Sequence, residues 1–251
     1  MSSIHPDIRF GKSLRMQGGD AHAFGFVIEE IEGWEESVDV NFDETPIPGG
    51  NGSFDVPVTL ASRLVKVRGY CEAESIEKFG WHQRLATGLV GGASTRSFVV
   101  EKAGLAQWAP AHCIGAKLPQ FGGQAFGNFV FDFWMPKPYK FGNTVLFNSG
   151  VPAPHYGNSA AVPVFTIGGV RPSGYTIAGP GGRSVKVTTP VTSGHAHTYD
   201  MNTGELVIDG NLMDSGVEIG DSWAIWGGTS FAHTITGGSG DFTTAITETD
   251  T

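Results

Sequence analysis

Cysteine is nearly absent from this chain: Cys71 and Cys113 are the only two in 251 residues, too few for a disulfide framework. They read as buried thiols in a protein made in a reducing compartment. No apolar run approaches the roughly 18 residues that a membrane helix needs. The opening Met1-Ser2-Ser3-Ile4-His5-Pro6-Asp7 has no basic region followed by an apolar one, so a secretory leader is not expected. Together these absences lead to the expectation of synthesis in the cytoplasm without membrane insertion. Charge is scarce too, at 16% Asp, Glu, Lys and Arg. No run of Lys and Arg occurs, and a formal net charge of −9 disfavours attraction to a phosphate backbone, so sequence-specific nucleic-acid binding is not expected.

What the chain does have is punctuation. Its 37 glycines and 14 prolines separate short apolar runs instead of gathering into low-complexity tracts, and the aromatic content of 11% is that of a chain with a core. The pattern implies a mainly β protein with many turns. Residues 20–34 read as a half-buried strand with Phe24, Phe26 and Ile28 on one face. A turn-rich stretch from Thr45 to Ser53 contains Asn51-Gly52, a pair suited to positive φ. The next strand, Arg63 to Ala73, places Val65, Val67, Gly69 and Cys71 on one side and Lys66, Arg68, Tyr70 and Glu72 on the other.

The period then changes. Ser75 is an N-cap candidate, Glu77 suits the first turn, and Ile76, Phe79, Leu85, Ala86 and Leu89 fall near one helical stripe that Gly88 or Gly91 can end. This is the single helix expected, with Gly80 a weak point inside it. Apolar runs follow at Phe98–Val100, Trp108–Leu118 and Ala125–Met135; in the last, Phe129, Phe131, Phe133 and Met135 share a face opposite Asp132 and Trp134. Pro136 and Pro138 interrupt the sheet, which places a domain boundary there: residues 1–138 and 139–251. Beyond it, short β runs recur every 8–12 residues or so, the spacing of an antiparallel sandwich. They are expected at Thr144–Asn148, Val162–Ile167, Tyr175–Ala178, Ser184–Thr188, His197–Asp200, Glu205–Ile208, Ser222–Trp226, Ala232–Thr236 and Thr243–Thr247.

The order of these parts resembles the distal tail proteins of siphoviruses. The N-terminal half is similar to their ring-forming domain, through the aromatic strand near Phe24–Ile28, the turn segment Pro48–Asp55, the strand Arg63–Gly69, the single helix, and the phenylalanine-rich strand leaving through Asp132–Gly142. The C-terminal half is similar to their galectin-like sandwich, through Asn158–Gly168, Gly204–Gly210 and Trp223–Gly228. The resemblance covers about residues 20–250 and rests on arrangement more than on any one phrase. The acidic run Glu29–Glu36 has no counterpart in it. What it implies is an N-terminal β-sandwich or split-barrel ring domain with one helix, then a galectin-like antiparallel β-sandwich. It also implies a structural virion protein, not an enzyme: a homo-oligomeric ring, expected to be a hexamer, at the distal end of a long non-contractile tail, between the tail tube protein and the tail-tip or baseplate hub proteins.

Candidate chemistry is sparse. His195 and His197, two apart on a strand, would share a face, with Asp200 and Asp209 near in sequence, yet nothing fixes a third ligand and no metal or cofactor is expected. His112 and Cys113 point to opposite faces and make a poor dyad. The Gly-rich strings Gly179–Ser184 and Gly237–Asp241 lack the lysine, hydroxyl and helix of a phosphate loop and read as turns. Asn51-Gly52-Ser53 matches a glycosylation acceptor but reads as a hairpin turn. Glu35, Glu36, Asp39, Asp43, Glu44 and Asp132 supply carboxylates, and a glycosidase needs two of them about 5–9.5 Å apart; they are expected to be solvated, and no catalytic residue is assigned. The alternative function is a carbohydrate-binding module for adhesion to the host surface, in which an exposed aromatic stacks on sugar. Trp223 and Trp226 fall on opposite faces of a regular strand, so Trp223 is expected in the core and Trp226, beside Gly227-Gly228, at a rim.

Overall fold

The computed structural model describes residues 6–18, 25–42 and 44–251; Phe24 and Asp43 lie outside them. The described residues are mainly β with one α-helix, and the chain divides into two compact units, Met1–Lys140 with Thr251, and Phe141–Asp250.

The first unit contains β1 (Asp7–Phe10), β2 (Leu14–Gly18), β3 (Phe26–Glu32), β4 (Val40–Asn41), β5 (Thr59–Leu60), β6 (Arg63–Glu72), α1 (Ile76–Thr87), β7 (Arg96–Lys102), β8 (Leu105–Lys117) and β9 (Phe126–Met135). Seven of these strands run β8-β7-β1-β2-β3-β6-β9, and pairing of β8 with β9 closes them into a barrel. Closure removes the free edges that invite aggregation. The seam is the short parallel pairing of β2 with β3. Side chains of β6 and β9 alternate strictly, sending Val65, Val67 and Cys71 inward beside Phe129, Phe131, Phe133 and Met135. Phe26, Phe10 and Phe98 join them through tilted and edge-on ring contacts. Gly69 is required at its position: a Cβ there would stand 1.9 Å from the Val27 carbonyl oxygen and 2.9 Å from the Phe129 ring.

Two expectations for this unit need correction. The alternation in β3 breaks, since Phe26, Val27 and Ile28 are all buried and the register shifts between Ile28 and Glu30; a bulge re-aims the acidic end of the strand. In α1, Ser75 caps the helix by accepting from the Lys78 N–H at 3.2 Å, and Gly88 ends it. Yet Ile76 is exposed, because the helix rests on the barrel through Phe79 and Ala86. Gly127 makes room for this, as a Cβ there would meet Phe79 and the Pro119 carbonyl.

The second unit holds β10 (Lys140–Asn148), β11 (Pro152–Pro154), β12 (Val164–Ile167), β13 (Tyr175–Ala178), β14 (Ser184–Val187), β15 (His197–Asp200), β16 (Glu205–Ile208), β17 (Asn211–Met213), β18 (Val217–Gly220), β19 (Ser230–Ala232), β20 (Thr234–Thr236) and β21 (Phe242–Asp250). One sheet runs β17-β16-β15-β12-β21-β10, another β18-β14-β13-β20, and β11 pairs with β19. Phe165, Tyr199, Leu206 and Phe242 from the first sheet meet Tyr175, Ile177, Val185 and Val187 from the second in one core, which makes the unit a sandwich. The expected strand at Ser222–Trp226 is not formed: Ile225 makes a lone bridge to Ala161. Ala232–Thr236 is likewise split between β19 and β20, with the buried His233 between them.

Candidate functional site

The residues singled out for chemistry do not converge. His195 and His197 do not share a face, which corrects the expectation for that pair. His195 lies in the exposed approach to β15 with its Nδ1 2.5 Å from Asp209. His197 is buried, with its Nδ1 3.4 Å from the Tyr175 hydroxyl, and burial lowers its pKa. Asp200 instead accepts from the Asn202 N–H in a turn. Among the described residues no group of three or more His, Cys, Asp or Glu is placed to hold a metal ion. His112 stacks on Trp134, while Cys113 is buried. Burial pushes the Cys113 thiol up to about 11 and that of Cys71 up to about 12, so neither is a thiolate near neutrality.

The glycine-rich strings are committed to the fold. At Gly179–Ser184 the N–H of Ser184 already donates to the chain's own Asp221 carboxylate, at 2.8 Å. In Gly237–Asp241 the carbonyls of Gly237 and Gly240 accept from the buried guanidinium of Arg171. That loop presents oxygen to a cation, the reverse of a phosphate cradle.

The carboxylates have structural occupations. Glu36 accepts from the Gly33 N–H at 2.8 Å, Glu35 pairs with Lys102 at 3.7 Å, and Glu44 accepts from the Ser53 hydroxyl at 2.8 Å. Register aligns Glu32, Lys66 and Asp132 across three neighbouring strands, so the two acidic residues stand about 10 Å apart along the sheet. Lys66 lies between them with its Nζ 3.9 Å from Asp132, an arrangement unlike a pair of carboxylates facing across a scissile bond. The run Glu29–Glu36 has a local account as well. Arg68 pairs with Glu30 and Glu32 at 2.8 and 3.4 Å. The following turn closes over the buried Arg63, which donates to the carbonyls of Gly33, Trp34 and Glu36.

What the surface does offer is apolar. From Glu35 to Ser62 the chain forms an arm in which no described residue is buried. Strands β4 and β5 pair with each other along it, and a bridge joins Pro46 to Ser53. Val40, Phe42, Phe54, Val58 and Leu60 are exposed there. A second apolar surface lies at α1, where Ile76 and Trp81 are exposed and the Arg84 guanidinium sits 5.7 Å from the Trp81 ring centre. Sequence reasoning missed both. The signal available was aromatic residues set among turn residues, with no strand pattern to take them inward.

In the second unit Trp223 is buried and donates from Nε1 to His233 Nε2 at 3.0 Å, whereas Trp226 is 67% exposed. Tyr156, 78% exposed, lies on the adjoining loop, tied to the Trp226 turn by a bond from the Gly228 N–H to the His155 carbonyl. Both aromatics are open to solvent.

Comparison with known proteins gives structure but not sequence. No family model matches the chain, and no curated protein matches it. Among solved structures it is similar to the Dit protein (gp 19.1) of phage SPP1, described as a paradigm of the hub adsorption apparatus in phages infecting Gram-positive bacteria. The TM-score is 0.77 at 14% identity, over 97% of this chain and 98% of that one. It is also similar to chains of the phage P2 baseplate in its activated conformation with calcium, with a TM-score of 0.57 at 7% identity. The strontium form gives 0.54 at 8%, and both matches cover 97% of each chain. At such low identities the likeness is one of fold, and with the SPP1 Dit protein it extends over nearly the whole length of both chains.

Proposed function

We propose that this chain is a structural protein of a bacteriophage tail, a distal tail protein whose copies close into a ring, expected to be a hexamer, between the tail tube and the tail-tip or baseplate hub. The observation that carries the reading is the likeness to the SPP1 Dit fold over 97% of this chain and 98% of that one. Residues 1–138 build the ring and residues 139–251 form a galectin-like sandwich. A subunit that completes its neighbour needs two different surfaces, and the first unit has both an apolar arm and an apolar helix face. The chain is made in the host cytoplasm and ends in the virion, with no catalytic step of its own. The test is to locate it in particles. Antibody-gold labelling of purified phage should decorate the tip of the tail; label on the capsid, or on no particle, overturns the reading.

A second reading is favoured by one observation, the paired exposure of Trp226 and Tyr156. Exposed aromatic faces beside polar loop groups suit stacking on a pyranose ring, so the sandwich makes a weak glycan contact at the host surface. A glycan array probed with the intact chain should show signal that Trp226→Ala removes; an array that stays blank with the wild type leaves the structural role alone.

A further inference from the structure

We propose that Asn51-Gly52, in the arm, is a site of self-modification: the Asn51 amide is lost through a succinimide, and the position becomes a mixture of isoaspartate and aspartate.

The pair sits in a closed turn. A bridge joins Pro46 to Ser53, the Ile47 N–H donates to the Gly52 carbonyl at 3.0 Å, and the Gly50 N–H donates to the Ile47 carbonyl at 3.1 Å. These bonds use the Gly52 carbonyl and leave its N–H alone. No described residue hydrogen-bonds that N–H or the Asn51 side chain. The hydroxyl of Ser53, the next polar side chain, is already taken by Glu44 at 2.8 Å. Asn51 and Gly52 are both exposed, so solvent base reaches the nitrogen.

Glycine at position 52 opens the line of attack. It has no Cβ to shield its nitrogen, and the space where one would stand is empty within 4 Å. Loss of the Gly52 amide proton to solvent base lets its nitrogen attack Asn51 Cγ. The N–Cγ bond forms, the Cγ–Nδ2 bond breaks, and the departing nitrogen takes a proton from water and leaves as ammonia. Nucleophile and electrophile belong to adjoining residues, so the step is intramolecular. Water then opens the ring. Addition at Cγ gives aspartate, whereas addition at the main-chain carbonyl gives isoaspartate. One water is consumed in all, one ammonia is released, and nothing is oxidised or reduced.

Other asparagines lack one or more of these conditions. Asn-Gly occurs once in the chain. At Asn158-Ser159 the corresponding nitrogen is engaged, the Ser159 N–H donating to the Thr249 carbonyl at 3.1 Å. Asn41 lies in β4 and is followed by Phe42, whose side chain crowds its own nitrogen. The consequence falls on the arm. Residues 35–62 hold six Asp and Glu and no Lys or Arg, and each event adds a further carboxylate. Isoaspartate also inserts a methylene into the main chain, which the Ile47–Gly52 bond and the Pro46–Ser53 bridge cannot follow in register.

The experiment holds the intact chain in neutral to mildly alkaline buffer and samples it by tryptic mass mapping. No Lys or Arg lies between Arg15 and Arg63, so one peptide, residues 16–63, carries both Asn51 and Asn41, the internal reference. Amide loss at Asn51 should run at least about tenfold faster than at Asn41. Its rate should rise about tenfold per pH unit, as the deprotonated fraction of a weak acid does. The product should accept methyl from an isoaspartate methyltransferase, and Asn51→Gln, which would need a larger ring, should abolish it. The same chain unfolded in urea gives the rate without the turn, and the native chain should stay within about tenfold of it, about 1.4 kcal/mol in barrier. A native chain slower than that margin shows that the turn protects the site and overturns the proposal. Loss at Asn51 no faster than at Asn41, or an acid product free of isoaspartate, overturns it as well.

Discussion

Trp223 and His233 are locked together in the core of the second unit, the indole N–H donating to Nε2 of the imidazole across 3.0 Å. The bond needs a neutral histidine, because protonation would put a hydrogen on the accepting nitrogen. Burial lowers the His233 pKa to about 4 from an ordinary 6.5. The unfolded chain therefore binds the proton more readily, and stability is full above about pH 6.5 and falls as the pH drops toward 4. The shift corresponds to about 3 kcal/mol at its limit, and the buried His197 and the half-buried His82, both lowered, act in the same direction. Urea unfolding at a series of pH values should show this slope, and His233→Gln should flatten it; an identical slope in the variant contradicts the assignment.

The hairpin between β7 and β8 turns on Ala103-Gly104, both at positive φ, 54° and 82°. A side chain other than Asn or Asp is strained there. Ala103→Asn should stabilise the chain by about 1 kcal/mol, seen as a rise in the urea midpoint. An unchanged or lower midpoint argues against the strain.

Gly80 sits inside α1 with open space where its Cβ would be. No close approach requires glycine, so Gly80→Ala should add about 0.5–1 kcal/mol in the same unfolding measurement. A loss of stability would mean that the helix packs there after all.

Arg63 is buried under the turn after β3 and donates to Gly33, Trp34 and Glu36, while Lys140 adds a bond to the Trp34 carbonyl at 3.0 Å. Arg63→Met keeps the bulk but leaves buried carbonyls without donors, at a cost of about 2–4 kcal/mol. A loss under about 0.5 kcal/mol would show that water or Lys140 takes over.

These particulars explain how much the sequence disclosed. Period-two alternation is strict where one face meets a packed interior, so β6 and β9 were legible residue by residue. Ser75, with Gly88 or Gly91 as the stop, marks the helix in the sequence, and Gly88 is the one that ends it; the apolar stripe also takes in Ile76, which is exposed because the buried face is centred on Phe79 and Ala86. Asp209-Gly210 carries the ordinary signature of a tight hairpin with positive φ, as seen at 50° and 80°, whereas Ala103-Gly104 hides the same turn behind an atypical residue. Strands β1 and β2 were missed because they are short, with Gly11 between them. Ser222–Trp226 looked like a strand, yet its apolar residues are divided: Trp223 is held by a side-chain bond, while Trp226 faces solvent. The arm escaped notice for a different reason. Its apolar residues serve no core in the single chain, so no strand or helix period marks them.

The central claim is that this chain is built to be completed by copies of itself, and sedimentation velocity on the intact wild type at tens of micromolar tests it most directly. The account predicts one discrete species of several copies, near six. A single-copy species at every concentration would contradict it.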